Sequence, residues 1–161
     1  MFRLLFVSAF AFTSILGFAL VTNSDLAYPQ TELVRVELKV QTDGGLVRLH
    51  PEVASTPLEQ QVGMMGRLDL KDADAMLFPR QRPEKASFWM KNTPSSLDLV
   101  FIAPDMTVES IRFAAEPFSE TPIPSRGAVI AVLEVPAGLV SKLGIHSGDR
   151  VDSAALGASV K

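Results

Sequence analysis

"FWMKNTPSSLDLVFI", residues 88–102, sets the chain's only Trp, a Lys, an Asn, a Thr and an Asp around one Pro and ends in an apolar run. If "SFWMK" is extended, Trp89 and Lys91 share one face while Phe88 and Met90 take the other. Asn92-Thr93-Pro94 is then a turn, because Asn initiates turns and Pro fixes its own φ. In "LDLVFI" (97–102), Leu97, Leu99 and Phe101 lie on one side and Val100 and Ile102 on the other. A strand that is apolar on both sides is covered on both sides. The stretch therefore reads as strand, turn and a strand in the middle of a packed sheet.

Runs of the same kind recur along the chain: "AMLF" (75–78), "ASFWMK" (86–91), "TVESIRFA" (107–114) and "AVIAVLEV" (128–135). Pro79, Pro83, Pro94, Pro104, Pro117, Pro122, Pro124 and Pro136 punctuate them. Short β-rich runs between turn signals predict a barrel or sandwich. The Pro-rich "EPFSETPIPSRG" (116–127) predicts a long surface loop, since Pro cannot donate to a strand ladder. Nearer the N-terminus, "ELVRVELKV" (32–40) alternates Val34, Val36, Leu38 and Val40 with charges, and "TDGG" then "LVRLH" complete a hairpin with Asp43-Gly44 at its tip. Thr56-Pro57-x-Glu59 supplies an N-cap, a Pro in the first turn and a capping-box acid, with Leu58, Val62 and Met65 at helical spacing before Gly66. Ala137 to Leu143, ending at Gly144, predicts a second small helix. The expected fold is α+β: a compact β-rich barrel-like or sandwich-like domain with one or two short helices.

The chain has 161 residues, enough for one ordinary domain. Its first 25 residues, "MFRLLFVSAFAFTSILGFALVTNSD", carry one Arg and then no charge before Asp25. This pattern reads as a secretory signal over residues 1–27. An uncleaved N-terminal membrane anchor over residues 4–21 is the alternative. Residues 28–161 are then a single globular domain, expected in the periplasm or outside the cell. Lys and Arg number 15 against 18 Asp and Glu, a net charge of −3, and residues 1–27 hold only one of each sign, Arg3 and Asp25. No basic run offers a footprint for phosphate backbones, so nucleic acid is not an expected partner.

The chain has no Cys, which removes disulfides, thiolate metal sites and thiol nucleophiles. Met64, Met65, Met76, Met90 and Met106 are scattered, and His50 and His146 stand far apart. Neither set has the spacing of a metal site, and no metal or cofactor is expected. No G-x-S-x-G stretch, P-loop or H-E-x-x-H occurs.

Candidate site residues come from polar groups in uncomfortable places. Asp98 sits inside a strand apolar on both faces, and Glu134 shares a face with Ile130 and Val132 in "AVIAVLEV". A lone buried charge costs several kcal/mol, so each acid should find a cation, lie at a solvated strand end, or protonate. Lys91 and Arg67 are the expected cations. Trp89 and Lys91, two residues apart, suit a half-open wall on which a ligand ring stacks, or else a core Trp beside a snorkelling Lys. Arg67 closes "GMMGRL" (63–68), where it either satisfies the helix's last carbonyls or offers a fork to a carboxylate.

Together "GMMGRL", "DAMLF" (74–78), "FWMKNTPSSLDLVFI", "VLEVPAGLVSKLGIHSGDRV" (132–151) and the leading apolar segment resemble a bacterial and archaeal family, domain of unknown function 192, over about residues 33–152. The resemblance implies a compact β-rich α+β domain, usually exported, with no established activity. Its motif falls on Arg67, Trp89, Lys91, Asn92, Thr93, Asp98 and Glu134. One departure is Ser95-Ser96, where the family more often has an apolar or Pro-containing step. "LGIHSGDRV" (143–151) also looks like the Gly-Asp turn of double-psi barrels, a likeness at the level of fold alone.

Three functional expectations result. The first is a binding domain whose polar pocket, built from these seven residues, takes a small anionic or carbohydrate-like ligand such as an envelope glycan. The second is an envelope hydrolase with Asp98 and Glu134 as acid and base. The third is a structural or interaction protein in which the same residues form closed ion pairs, Arg67 with Asp98 or Lys91 with Glu134.

Overall fold

The computed structural model describes residues 32–157. The signal or anchor expected over residues 1–27 lies outside the described residues. Among those described, no helix is long and apolar enough to cross a membrane.

Strands β1 (Leu38–Thr42) and β2 (Gly45–Leu49) form the expected hairpin, with Thr42 opposite Gly45 and Asp43-Gly44 at the tip. Leu38 and Val40 face inward, but the alternation fails upstream, where Val34 is 75% exposed. There the chain leaves the sheet and Arg35 bridges to Glu52 in the two-residue strand β3 (Glu52–Val53). Helix α1 (Pro57–Val62) starts as its sequence dictates. The Thr56 hydroxyl accepts from the Glu59 amide, and the Glu59 carboxylate accepts from the Thr56 amide in return. Its apolar stripe is not buried: Leu58 is exposed, and the inward contacts come from Met64 and Met65 just past the helix.

The long strands differ most from the expectation. "AMLF" and "ASFWMK" belong largely to one 13-residue strand, β4 (Met76–Phe88). Pro79 and Pro83 do not end it. Between Pro79 and Glu84 its register to the next strand shifts, and the prolines sit in that irregular arch, where no ladder amide is needed. After β5 (Leu97–Ile102) and β6 (Val108–Ala115), the supposed loop 116–127 gives way at Ile123 to a 14-residue strand, β7 (Ile123–Pro136). Pro124 is tolerated there because β5 pairs only with residues 131–136, leaving β7 a neighbour on one side at Pro124. Helix α2 (Leu139–Lys142) is a shorter form of the expected second helix. Strand β8 (Arg150–Asp152) and a third single-turn helix, α3 (Ala154–Gly157), complete the described chain.

The strands make two sheets, β2-β1-β8 and β3-β4-β7-β5-β6, in a sandwich-like α+β arrangement rather than a closed barrel. The larger sheet is covered on both faces. One face, with Leu77, Val100, Ile102, Leu133 and Val135, packs on Leu38, Val40 and Val151 of the smaller sheet and on Leu139 and Val140 of α2. The other, with Met76, Phe78, Leu99, Phe101 and Val132, packs on Met64 and Met90 from the segments after α1 and β4. That double coverage is why β5 has no polar face.

Candidate functional site

Asp98 and Glu134 are both buried, at 1% and 5% exposure, but they do not meet. In the antiparallel pairing of β5 with β7, Leu99 stands opposite Glu134 and Asp98 opposite Val135. Directly opposed residues share a face, so Asp98 points toward the smaller sheet and Glu134 toward α1. The sheet itself separates the two carboxyls.

Asp98 is satisfied by the main chain rather than by Lys91 or Arg67. Its Oδ1 accepts from the Ala114 amide at 2.9 Å, and its Oδ2 from the Gly138 amide at 2.9 Å and the Val140 amide at 3.3 Å. The carboxylate thus ties the end of β6 to the first turn of α2 and supplies the side-chain cap that Gly138, the N-cap residue, lacks.

Arg67 also finds a partner other than the expected one. Its Nη2 lies 2.7 Å from Glu52 Oε2, while Arg35 Nη2 lies 2.7 Å from Glu52 Oε1, so one carboxylate on β3 holds two guanidinium groups. The backbone around Arg67 is fastened to the 92–95 turn: the Gly66 amide donates to the Asn92 carbonyl and the Ser95 hydroxyl to the Arg67 carbonyl, each at 2.9 Å. Asn92 takes φ 54°, a left-handed conformation that Asn tolerates better than most residues. Thr93 is buried, and its amide donates to the Met90 carbonyl. Ser95-Ser96 also serve this turn, since the Ser96 hydroxyl donates to the Ala115 carbonyl at 2.8 Å.

On the α1 side of the large sheet is a cleft of about 350 Å³. Glu134 contributes to its wall, with Phe78, Arg80 and Phe88 from β4, Met64 and Met65 from the turn after α1, Gln60 and Gln61 from α1 itself, and Trp89 and Thr93. Gly63 lets this turn close down: its φ is 48°, and a Cβ there would lie 3.2 Å from the Phe78 ring. Trp89 stands at the rim, 48% exposed, with Lys91 Nζ 5.1 Å from its ring centroid. Lys91 Nζ is also 3.8 Å from Glu120 Oε2, and both side chains are largely in solvent. Phe88 and Met90 turn inward, as the alternation requires.

Glu134 is the anomalous group of this cleft. Met76 and Leu99 stand opposite it on its two neighbouring strands, and no hydrogen bond among the described residues satisfies its carboxyl. Burial pushes that carboxyl up to about 8, with the Arg67 charge pulling weakly the other way. Burial thus favours the neutral form of Glu134, and the cleft carries a carboxyl in an apolar wall. Arg80 is the cation that lines the same cleft. The ring of Phe88 lies 5.9 Å below the guanidinium, Glu84 is a distant partner at 3.4 Å, and the Nε is buried without an acceptor.

Of the seven candidates, the structure brings Trp89, Thr93 and Glu134 to the cleft, places Lys91 on Trp89 at its rim, and sets Arg67, Asn92 and Asp98 in the framework behind it. Glu52, Arg80 and Gln60 are the polar groups the residue pattern did not single out. Arg80 had a signal in "PRQRPEK" (79–85), a charged stretch between prolines directly after an apolar run.

The family model of DUF192, described as "Uncharacterized ACR", matches residues 38–153. No curated protein matches the chain. Solved structures similar to the chain include the following two. One, described as a candidate transcription regulator from Sinorhizobium meliloti 1021, is 35% identical, with a TM-score of 0.74 over 78% of this chain and 98% of that one. The other, a protein of unknown function from Novosphingobium aromaticivorans, is 40% identical, with a TM-score of 0.73 over 78% of this chain and 90% of that one.

Proposed function

The chain belongs to the DUF192 family of uncharacterised proteins, and from that membership we propose that it is an exported binding domain whose cleft beside α1 takes a small anionic or carbohydrate-like ligand. The observation that carries this reading is Glu134, a buried carboxyl with no hydrogen bond among the described residues, which opens onto a cleft with an exposed Trp at its rim. A buried polar group without a partner costs stability. A ligand oxygen supplies the missing partner while its ring stacks on Trp89.

Two features narrow the alternatives. A hydrolase using Asp98 with Glu134 has no support, because the sheet stands between them and Asp98 is committed to three amides. A purely structural role fits Arg67, held by Glu52, but not the cleft. Transcription regulation, the description given to one similar structure, finds no support in a chain of net charge −3 without a basic run.

Trp89 is the only Trp, so Trp fluorescence, excited selectively over the single Tyr, reports on the cleft. Titration with a panel of neutral sugars, sugar acids and small carboxylates is expected to give a saturable change for at least one class, accompanied by a rise in melting temperature. A panel without any saturable change or thermal shift removes the basis of the reading.

A further inference from the structure

We propose that the protein carries a second binding site, at the β6 edge of the large sheet, which takes a phosphate monoester: Arg112 and Arg126 grip the phosphoryl oxygens, Ser119 and Thr121 donate to them, and the body of the ester lies against Phe101 and Ile123. A cleft of about 320 Å³ opens there, and these six residues line it. It shares no lining residue with the cleft beside α1, so the inference stands apart from the binding reading above.

The two guanidinium groups come from strands that are fixed relative to each other. In the pairing of β5 with β6, Arg112 stands opposite Leu99 and Ser110 opposite Phe101. Directly opposed residues share a face, so Arg112 rises on the Phe101 side of the sheet. Arg126 comes from β7, where Ala128 pairs with Lys85 and Pro124 with Ser87, so that β7 takes four steps where β4 takes two. The extra residues form a bulge, a device that re-aims a side chain. This bulge is pinned on both sides of Arg126. The buried Ser125 hydroxyl accepts from the Ala86 amide at 3.0 Å and donates to the Gly127 carbonyl at 2.7 Å. The Gly127 amide donates to Glu109 Oε1 of β6 at 2.6 Å, which ties β7 to β6 one residue from Arg126.

The charges of this cleft are left unmatched. Among the described residues neither Arg112 nor Arg126 has a carboxylate within ion-pair distance, whereas Arg35, Arg48, Arg67, Arg80 and Arg82 each do. The acids nearby are engaged elsewhere: Glu109 accepts from the Gly127 amide and the Ser110 hydroxyl, and Glu120 faces Lys91. Glu116, an exposed residue, is the carboxylate in the lining, and it pairs with neither guanidinium. Two uncompensated cations at one concavity in a chain of net charge −3 focus an anion there. A carboxylate has two oxygens, which a single guanidinium fork satisfies. A phosphate monoester has three terminal oxygens and close to two charges, enough for both forks and a hydroxyl. The Ser119 hydroxyl accepts from the Thr121 amide at 3.3 Å, which leaves its proton to donate. Phe101 and Ile123 are buried apolar side chains, so the lining also suits an organic body.

The test is calorimetric titration of the protein with phenyl phosphate and phenyl sulfate at about pH 8, where the phosphate carries two charges and the sulfate, with the same three oxygens, carries one. Phenyl phosphate is expected to bind saturably and at least about tenfold more tightly than phenyl sulfate. Arg112→Gln and Arg126→Gln should each weaken it by at least about tenfold. Both residues are exposed, so the two variants should keep the wild-type melting temperature. Arg150→Gln is the control, since Arg150 also lacks an ion pair among the described residues but lies on β8, outside the cleft; its affinity should equal that of wild type. Phenyl sulfate binding as tightly as phenyl phosphate overturns the monoester assignment. An affinity that neither cleft variant changes, or that Arg150→Gln lowers as much, overturns the site. Absence of saturable binding up to about 10 mM overturns it as well, and none of these outcomes bears on the cleft beside α1.

Discussion

Leu99 of β5 and Glu134 of β7 stand directly opposite each other, which turns Glu134 toward α1 and leaves Asp98, one residue earlier, facing the smaller sheet. Two buried acids on adjacent strands thereby serve two different environments. Asp98 meets three amides, and Glu134 meets a cleft. Their substitutions should have opposite effects.

Asp98→Ala leaves the amides of Ala114, Gly138 and Val140 without their acceptor in the packed interior. It is expected to destabilise the protein by about 3–5 kcal/mol. Urea unfolding measures this, and a loss below about 1 kcal/mol would show that the amides find other partners.

Glu134→Gln should instead improve in stability relative to wild type as pH rises. The folded carboxyl is pushed up to about 8 from an ordinary 4.5. Between these values the folded state binds more protons than the unfolded state, so this group's contribution is fully present below about pH 4.5 and is lost as pH rises toward 8. The slope is at most about 1.4 kcal/mol per pH unit. Urea midpoints of the two proteins from pH 5 to 8 should diverge in favour of the variant. A constant difference would mean that Glu134 is already ionised at pH 5.

Glu52 holds Arg35 and Arg67 at once, and Arg67 is mostly buried. Glu52→Gln is therefore expected to cost about 2–4 kcal/mol, chiefly by leaving the Arg67 guanidinium without its counter-charge. Adding Arg67→Met should recover part of that loss, because removing both charges costs less than removing one. Thermal unfolding of the two variants checks the order.

At α1 the effects should be small and local. Thr56→Ala removes a capping box and is expected to cost about 1 kcal/mol. Leu58→Ala, on the exposed face, should stay within about 0.5 kcal/mol. A larger effect at Leu58 would indicate that something covers this residue in solution.

The residue pattern carried the parts of this structure that depend on local chemistry: the hairpin at Asp43-Gly44, the cap at Thr56, the turn at Asn92, and the apolar neighbours of Asp98 and Glu134, though not whether those acids are buried or lie at solvated strand ends. What it could not carry depends on which strand lies beside which. The partners of Asp98 are backbone amides 16, 40 and 42 residues away, and backbone amides leave no trace in side-chain patterns. The separation of the two acids follows from a pairing register, Leu99 with Glu134, that alternation within either strand does not reveal. Prolines misled at Pro79, Pro83 and Pro124, where they sit inside long strands because the sheet there is irregular or one-sided.

The arch in β4 also bears on how the molecule behaves in crowded solution. Strand β3 covers only Met76 and Leu77 of β4, so among the described residues the strand beyond them pairs with β7 alone, on either side of the arch, and its other margin is open. A straight open margin invites the strand of another molecule to dock and seed aggregation. Here that margin carries Pro79, Arg80, Arg82, Pro83, Glu84 and Lys85. The prolines lack the amides such docking needs and the charges resist desolvation, so the same irregularity that presents Arg80 to the cleft protects the sheet from self-association.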